Sequence, residues 1–120
     1  MPDPVLRVAA RDAVLAADPL DPGQVIEGDP QTSAFVLSAG GGAETGVWRC
    51  TPGRFRDVEV EESFVVLEGR ATIAWEGGAV EIGAGDVCFL APGTRTVWTV
   101  HETLLKGYSL AACTDRQSVP

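Results

Sequence analysis

The stretch Glu62-Ser63-Phe64-Val65-Val66-Leu67-Glu68-Gly69 places a carboxylate at the start of a run that is typical of a buried β-strand. Aromatic and β-branched residues favour strands, and alternate residues of a strand point to the same face. If Glu62 points inward, Phe64 and Val66 share its face. A buried carboxylate without a partner is costly to keep ionised, so the sequence predicts an interior partner for Glu62.

Glycine and proline divide the rest of the chain into short segments. The 120 residues include 14 Gly and 8 Pro, which favours many turns and short strands over long helices. Strand-like segments with turn residues between them predict an all-β sandwich or barrel. The expected turns include Glu68-Gly69 and a hairpin turn at Gly77-Gly78. The predicted strands are 32–38, 45–50, 54–60, 62–67, 71–76, 79–82, 87–91, 95–100 and 103–111.

A single domain is expected over residues 1–120. Within the N-terminal arm, residues 5–17 predict an initial strand and a short helix that ends before Pro19, and 18–31 predicts an irregular segment because it is rich in Pro and Gly. The expected parts of the domain are a core at about 25–112, the N-terminal arm at 1–24 and a frayed C-terminal tail at 113–120.

Charge and cysteine content narrow the function classes. The formal net charge of −8 argues against binding to nucleic acid or to an anionic membrane surface, both of which need a basic face. No apolar run reaches the roughly 20 residues of a membrane span, and no secretion signal is expected at the N-terminus. Cys50, Cys88 and Cys113 predict free thiols in a cytoplasmic protein. Cys88 is expected on a core strand, and Cys50 is expected to be the more accessible thiol.

Two spaced motifs resemble the signature motifs of the cupin superfamily. Glu62 is followed after six residues by Gly69, as in the first cupin motif, and Gly85-Asp86 reaches Gly93 with the spacing of the second. The resemblance implies a double-stranded β-helix, the RmlC-like jelly-roll barrel. Three further strings extend the resemblance over about residues 25–110, to small cupins related to ethanolamine-utilisation and ureidoglycine aminohydrolase proteins. They are Gly46-Val47-Trp48-Arg49-Cys50-Thr51-Pro52-Gly53, Val100-His101-Glu102 and Lys106-Gly107-Tyr108.

The resemblance also shows which metal ligands this chain lacks. Most metal-dependent cupins bind their ion through three histidines and the Glu that matches Glu62. The third histidine position falls on Thr96, and His101, the one histidine of the chain, lies beyond it in an expected surface turn. Depending on the loop count, the first two histidine positions fall on Phe55 and Asp57 or on Arg56 and Val58.

These departures predict an interior without a cofactor. First-row metal ions prefer imidazole or thiolate ligands beside a carboxylate, and one Glu does not make a site. An atypical divalent ion held by Glu59, Glu61 and Glu62 is the alternative. Strand alternation argues against it, because Glu59 and Glu61 are expected to point outward when Glu62 points inward.

The last predicted strand offers a counter-charge for Glu62. Leu104, Lys106, Tyr108 and Leu110 share one face there, and a lysine in such a row is unusual. We expect Lys106 to pair with Glu62, or both groups to bind one ligand. The candidate catalytic residues are Glu62, Lys106 and Tyr108. The candidate ligand-pocket residues are Trp48, Arg56, Phe64, Thr96 and Trp98.

Three functions remain open at this point. The first is the binding of a small polar metabolite, such as a carboxylate or a sugar-like compound, in the barrel cavity. The second is an enzyme of the aminohydrolase or isomerase kind, with Glu62 as general acid or base and Lys106 or Tyr108 stabilising negative charge. The third is a structural subunit, in which the ion pair only satisfies itself. A homodimer is expected, formed by packing of barrels or by exchange of the strand at 5–17.

Overall fold

Strands make up most of residues 4–111, the part of the chain that this computed structural model describes. The expected tail, with Cys113, lies outside those residues. Two short 3₁₀ helices, Ala10–Asp12 and Pro22–Gln24, are the helical segments of the described part. The strands are β1 (Ala16–Ala17), β2 (Val25–Gly28), β3 (Thr32–Gly40), β4 (Ala43–Cys50), β5 (Gly53–Val58), β6 (Glu62–Trp75), β7 (Gly78–Gly83), β8 (Val87–Leu90) and β9 (Arg95–Ala111).

Two long strands, β6 and β9, each belong to two antiparallel sheets. In the first sheet the order is β1-β3-β4-β9-β6-β8, with residues 104–111 of β9 against β4 and the start of β6 against β8. In the second sheet the order is β2-β5-β9-β6-β7, with residues 95–100 of β9 against β5. This arrangement confirms the all-β jelly roll that the sequence predicts.

The strands turn from one sheet to the other at Gly69. Its φ of +91° lies in the left-handed region, and a Cβ there would come within 2.1 Å of the carbonyl oxygen of Thr103 on β9. The register of β6 against β9 shifts three times between Val66 and Ala71, which bends both strands. The predicted turn at Glu68-Gly69 is therefore wrong, because the chain continues there as a bulged strand.

Predictions for the other elements differ in detail. β9 is continuous, so the break predicted between 95–100 and 103–111 is wrong. The β6–β7 hairpin is confirmed, but Trp75 pairs with Gly78 and its turn residues are Glu76 and Gly77.

The N-terminal arm lies against the sheets as short pieces. The predicted helix within 5–17 is reduced to the 3₁₀ turn, since a short helix is marginal unless it buries an apolar face, and no residue of this turn is buried. β1 pairs with β3 instead of reaching away from the barrel. Residues 18–31 are less irregular than predicted, because β2 pairs with β5. None of the helical segments in residues 4–111 has the length and apolar character that a membrane crossing requires.

The core lies between the two sheets. Inward-facing residues of the strands from β4 to β9 fill it, and Phe55 stacks on Trp98 with ring centroids 6.0 Å apart. Leu104 and Tyr108 are buried on β9, as their spacing predicts, and so are Trp98 and Val100, as the family resemblance implies. The packing stops short of one end of the barrel, where polar side chains enter the interior.

Candidate functional site

A cavity of about 390 Å³ lies between the sheets at the end where β6 begins. Its volume is within the range of small-molecule sites, roughly 300–1,000 Å³. Exposed side chains such as Val58 and Val60 form its rim. Among the described residues, its charged and aromatic lining comprises the carboxylates Asp18, Glu44, Asp57, Glu59 and Glu62, the amine Lys106, and the aromatic residues Trp48, Phe55, Trp98 and Tyr108.

Glu62 and Lys106 form the buried ion pair that the sequence predicts. Nζ of Lys106 lies 2.6 Å from Oε2 of Glu62, and the two side chains are 6% and 8% exposed, respectively. Lys106 stands opposite Val66 in the β6–β9 ladder, so its side chain extends along β6 toward Glu62, with its Nζ 4.4 Å from the ring centroid of Phe64. At this distance the ammonium group satisfies Glu62 Oε2, so each charge of the pair is partnered by the other.

Burial affects the protonation of Glu62. Loss of water raises the pKa of Glu62 above its ordinary value of 4.5; Lys106 opposes the rise, and repulsion from Glu59 adds to it. The pair is therefore not a source of stability by default, since removing two charges from water costs several kcal/mol per ion. Its position in a cavity wall gives it contact with any molecule that enters.

Three aromatic rings surround the ammonium group. Lys106 Nζ is 4.4 Å from the ring centroid of Trp48, 4.4 Å from that of Phe64 and 5.0 Å from that of Trp98. At these distances the negative faces of the rings attract a cation. The arrangement follows from the ladder, because Trp48 lies directly opposite Lys106 on β4. The aromatic walls predicted at this place are present.

Glu59 is the main residue that strand alternation misplaces. The prediction that it points outward is wrong: its residue is 6% exposed, and its Oε2 accepts hydrogen bonds from Thr96 Oγ1 at 2.7 Å and Trp98 Nε1 at 2.9 Å. The backbone explains the error. Glu59 follows the end of β5, and its N–H donates to the carbonyl oxygen of Thr94 while its own carbonyl accepts from Gly93 N–H. Alternation does not continue through such a connection.

Asp57 brings another carboxylate to the same wall. It is half-buried at the end of β5, and its Oδ1 accepts a hydrogen bond from Val58 N–H. Burial, followed by repulsion from Glu59, raises the pKa of Asp57 to about 6. Of the residues in the two alternative placements of the family's histidine positions, Phe55 and Asp57 line the cavity, Val58 lies at its rim and Arg56 is exposed.

Tyr108 and Glu44 face each other across β4 and β9. Tyr108 Oη donates to Glu44 Oε2 at 2.7 Å, and burial together with this carboxylate raises the pKa of Tyr108 above its ordinary value. Gly46 makes room for the phenol, since a Cβ there would lie 2.7 Å from Tyr108 Oη. Because its proton is already directed at Glu44, Tyr108 is less suited to stabilise negative charge than the sequence suggests.

The remaining predicted site residues fall into three groups. Trp48 and Trp98 line the cavity with the candidate catalytic residues, whereas Phe64 and Thr96 are buried behind its wall. Arg56 is not part of the pocket, which corrects its assignment: its Nη1 donates to Gly23 O at 3.0 Å and so fastens the arm to β5.

Cys50, Cys88 and His101 are not part of the cavity lining. Cys50 is 0% exposed, and burial raises its pKa to about 12, so the expectation that it is the accessible thiol is wrong. Cys88 is half-buried on β8, and burial raises its pKa. His101 is an exposed residue of β9 rather than a turn residue, and its Nε2 lies 2.8 Å from Thr72 Oγ1.

The interior does not fit the metal that the fold family implies. A cation beside Glu62 would lie against the ammonium group of Lys106, and Thr96 directs a hydroxyl hydrogen at Glu59. Within residues 4–111 no three His, Cys, Asp or Glu side chains are arranged to hold an ion. The groups that the pocket presents to a ligand are carboxylates and the faces of aromatic rings.

Two sheets that share their long strands around an interior site define a cupin-type barrel. A family model of the EutQ-like cupin domain matches residues 37–108, more than half of the chain, and the protein belongs to this family. The predicted resemblance to the ethanolamine-utilisation branch of the cupins is thereby confirmed. A search of curated proteins gave no match.

Solved structures repeat the fold. A Pseudomonas syringae protein of unknown function is 29% identical with a TM-score of 0.73; the match covers 84% of this chain but 46% of that one, so the chain spans less than half of its length. The Clostridium difficile EutQ protein is 17% identical, with a TM-score of 0.66 and coverage of 79% and 76%. A putative ethanolamine utilization protein Q from Salmonella typhimurium is 17% identical, with a TM-score of 0.60 and coverage of 82% and 94%.

Proposed function

We propose that the barrel binds a small polar metabolite in its cavity through side chains alone. One observation carries the proposal: polar groups of opposite charge and aromatic rings converge in an interior space of about 390 Å³. An apolar wall with a few convergent polar groups is the usual form of a small-molecule site. A barrel that only supported its own fold would fill this space with apolar side chains, because close packing favours it.

A thermal-shift screen of small acids, amines, ureides and sugars tests the proposal. A ligand at one hundred times its Kd adds about 2.7 kcal/mol to stability, which raises the Tm by about 10 °C in a domain of this size. Ala34→Phe should abolish the shift, since Ala34 lines the cavity and a phenyl ring would fill it. Ala79→Phe, on the exposed strand β7, is the matched control and should retain the shift. A wild-type protein that responds to no compound would contradict the proposal.

An enzyme is the second candidate, and the raised pKa of Glu62 favours it. A carboxyl group whose pKa moves toward neutrality exchanges protons more readily with a substrate at neutral pH. Lys106, 2.6 Å away, would stabilise negative charge on a bound intermediate. Turnover of a ligand found in the screen, lost in Glu62→Gln at an unchanged Tm, would support acid–base catalysis. Binding without turnover would support ligand binding and contradict the enzyme.

A further inference from the structure

The lining of the cavity carries a strong excess of negative charge. Five carboxylates face one amine in the part of the chain that the structure describes, and that amine is already paired with Glu62. Asp18, Glu44, Asp57 and Glu59 are left without a cationic partner in the wall. If all are ionised, the lining carries five negative charges and one positive charge, a net charge of −4.

The aromatic part of the wall already holds a cation. Lys106 Nζ lies within 4.4–5.0 Å of three ring centroids, which is the geometry in which aromatic cages bind ammonium groups. Two more rings, Phe55 and Tyr108, continue the lining beyond the lysine. The wall therefore combines π faces and carboxylates, the two kinds of group that attract an organic cation.

The same features disfavour the other ligand classes. A carboxylate ligand would approach carboxylates that have no counter-charge, in a setting where water screens poorly. An inorganic cation gains little from aromatic walls and finds no three suitable ligands in residues 4–111. A neutral sugar would leave the excess charge uncompensated.

We propose that the cavity selects an organic cation with a short apolar body: a primary or quaternary ammonium or a guanidinium compound. This inference rests on the proposed binding function and names its ligand class. The charged end lies toward Asp57 and Glu59, and the apolar body lies against the rings of Phe55 and Tyr108.

Ligands matched in shape separate charge from size. Choline, its uncharged isostere 3,3-dimethylbutan-1-ol and the anion 3,3-dimethylbutanoate form one series; butylammonium, butan-1-ol and butanoate form another. In titration calorimetry we expect one of the two cations to bind at least about tenfold more tightly than its neutral counterpart, with no measurable binding of the anions. Equal or tighter binding of a neutral or anionic member would overturn the cationic class while leaving the binding function intact. Failure of every member overturns the cationic class, and failure of the broad screen as well overturns the binding function.

Two variants locate the effect in the cavity. Glu59→Gln keeps an oxygen that accepts hydrogen bonds from Thr96 and Trp98 but removes the charge. The variant should therefore bind the cation about tenfold more weakly and bind the neutral isostere with unchanged affinity. Asp57→Asn serves the same purpose if the first variant folds poorly. Glu61 is an exposed neighbour outside the cavity, so Glu61→Gln is the matched control and should change the affinity for neither ligand. Equal losses for cation and isostere would overturn the proposal.

Discussion

Lys106 carries its charge into the interior of the barrel, where one carboxylate and three rings surround it. The ammonium nitrogen lies over the ring of Phe64 and also reaches the carboxylate of Glu62. Removing one partner of a buried pair leaves the other desolvated and uncompensated, whereas replacing both with apolar groups removes the penalty. The intact pair therefore adds little to the free energy of unfolding, whereas removal of one partner lowers that free energy strongly.

Lys106→Met should lower the free energy of unfolding by about 3–5 kcal/mol at neutral pH, because Glu62 would remain buried without its counter-charge. The deficit should narrow as the pH falls, since a protonated Glu62 carries no charge. Urea denaturation measures both effects. The double variant Glu62→Leu/Lys106→Met should recover most of the loss; a double variant as unstable as Lys106→Met would show that the lysine acts through packing instead.

Asp57 should make stability depend on pH. Its pKa is raised from 3.8 to about 6, by burial first and by Glu59 second, with Glu62 raising it further and Lys106 opposing them. The folded state therefore holds the proton more tightly than the unfolded state. The stabilisation from this group is fully present below pH 3.8 and is lost as the pH rises through about 6.

Asp57→Asn should remove this dependence. Urea unfolding at a series of pH values should show a variant that gains stability relative to the wild type as the pH rises through about 6. A difference that stays constant across that range would contradict the assignment. A carbon-detected NMR titration of the carboxyl group gives the midpoint independently.

Residue-level prediction succeeded where a side chain belongs to a regular strand. Glu62, Lys106 and Trp98 keep the alternation of β6 and β9; strand spacing indicates the inward side for Lys106, and the family resemblance indicates it for Trp98. Glu59 lies in the connection after β5, where backbone contacts to the loop after β8 set its direction. Its burial needed tertiary information that no local pattern contains.

At the scale of elements, the two long strands depend on a close approach at their bend. Gly69 allows the carbonyl of Thr103 to come nearer than any side chain would permit. The sequence predicts a turn at Glu68-Gly69 because Glu-Gly is typical of turns, so the bend within β6 is mistaken for the end of a strand. The strand β9 was divided for a similar reason, since the exposed His101-Glu102-Thr103 interrupts its alternation of buried residues.

Gly69→Ala should destabilise the protein by more than about 2 kcal/mol, because it adds a steric clash to a left-handed backbone conformation. Gly85→Ala is the matched control: Gly85 has a φ of +94°, but no atom lies within 4 Å of the point that an added methyl group would occupy. Chemical denaturation of both variants gives the cost of the clash as their difference. Equal losses of stability in the two variants would show that the left-handed backbone conformation alone explains why residue 69 is a glycine.

At the scale of the whole molecule, the predicted homodimer stays a prediction, and the outer face of β8 is where we propose that a second copy packs. Val87 and Phe89 are 81% and 61% exposed there, and Val65 lies beside Val87 on β6. A two-fold axis would place this uncharged patch of one copy against the same patch of the other. Because the chain has a net charge of −8, an uncharged contact surface avoids repulsion between the two copies.

Sedimentation velocity tests the dimer. We expect the wild type to dimerise and Phe89→Ser to be monomeric at the same concentration. Val80→Ser removes an exposed apolar side chain from β7 instead and should leave the dimer intact. A wild type that is monomeric at every concentration would contradict the prediction.

The sharing of β6 and β9 between both sheets has a consequence for how the barrel opens. Neither sheet has a complete set of strands of its own, so one cannot melt while the other persists. Unfolding should therefore be a single cooperative transition, and amide hydrogens on the two long strands should exchange only through global opening. A molecule that stabilises one wall of the cavity would slow exchange in the opposite wall to the same extent.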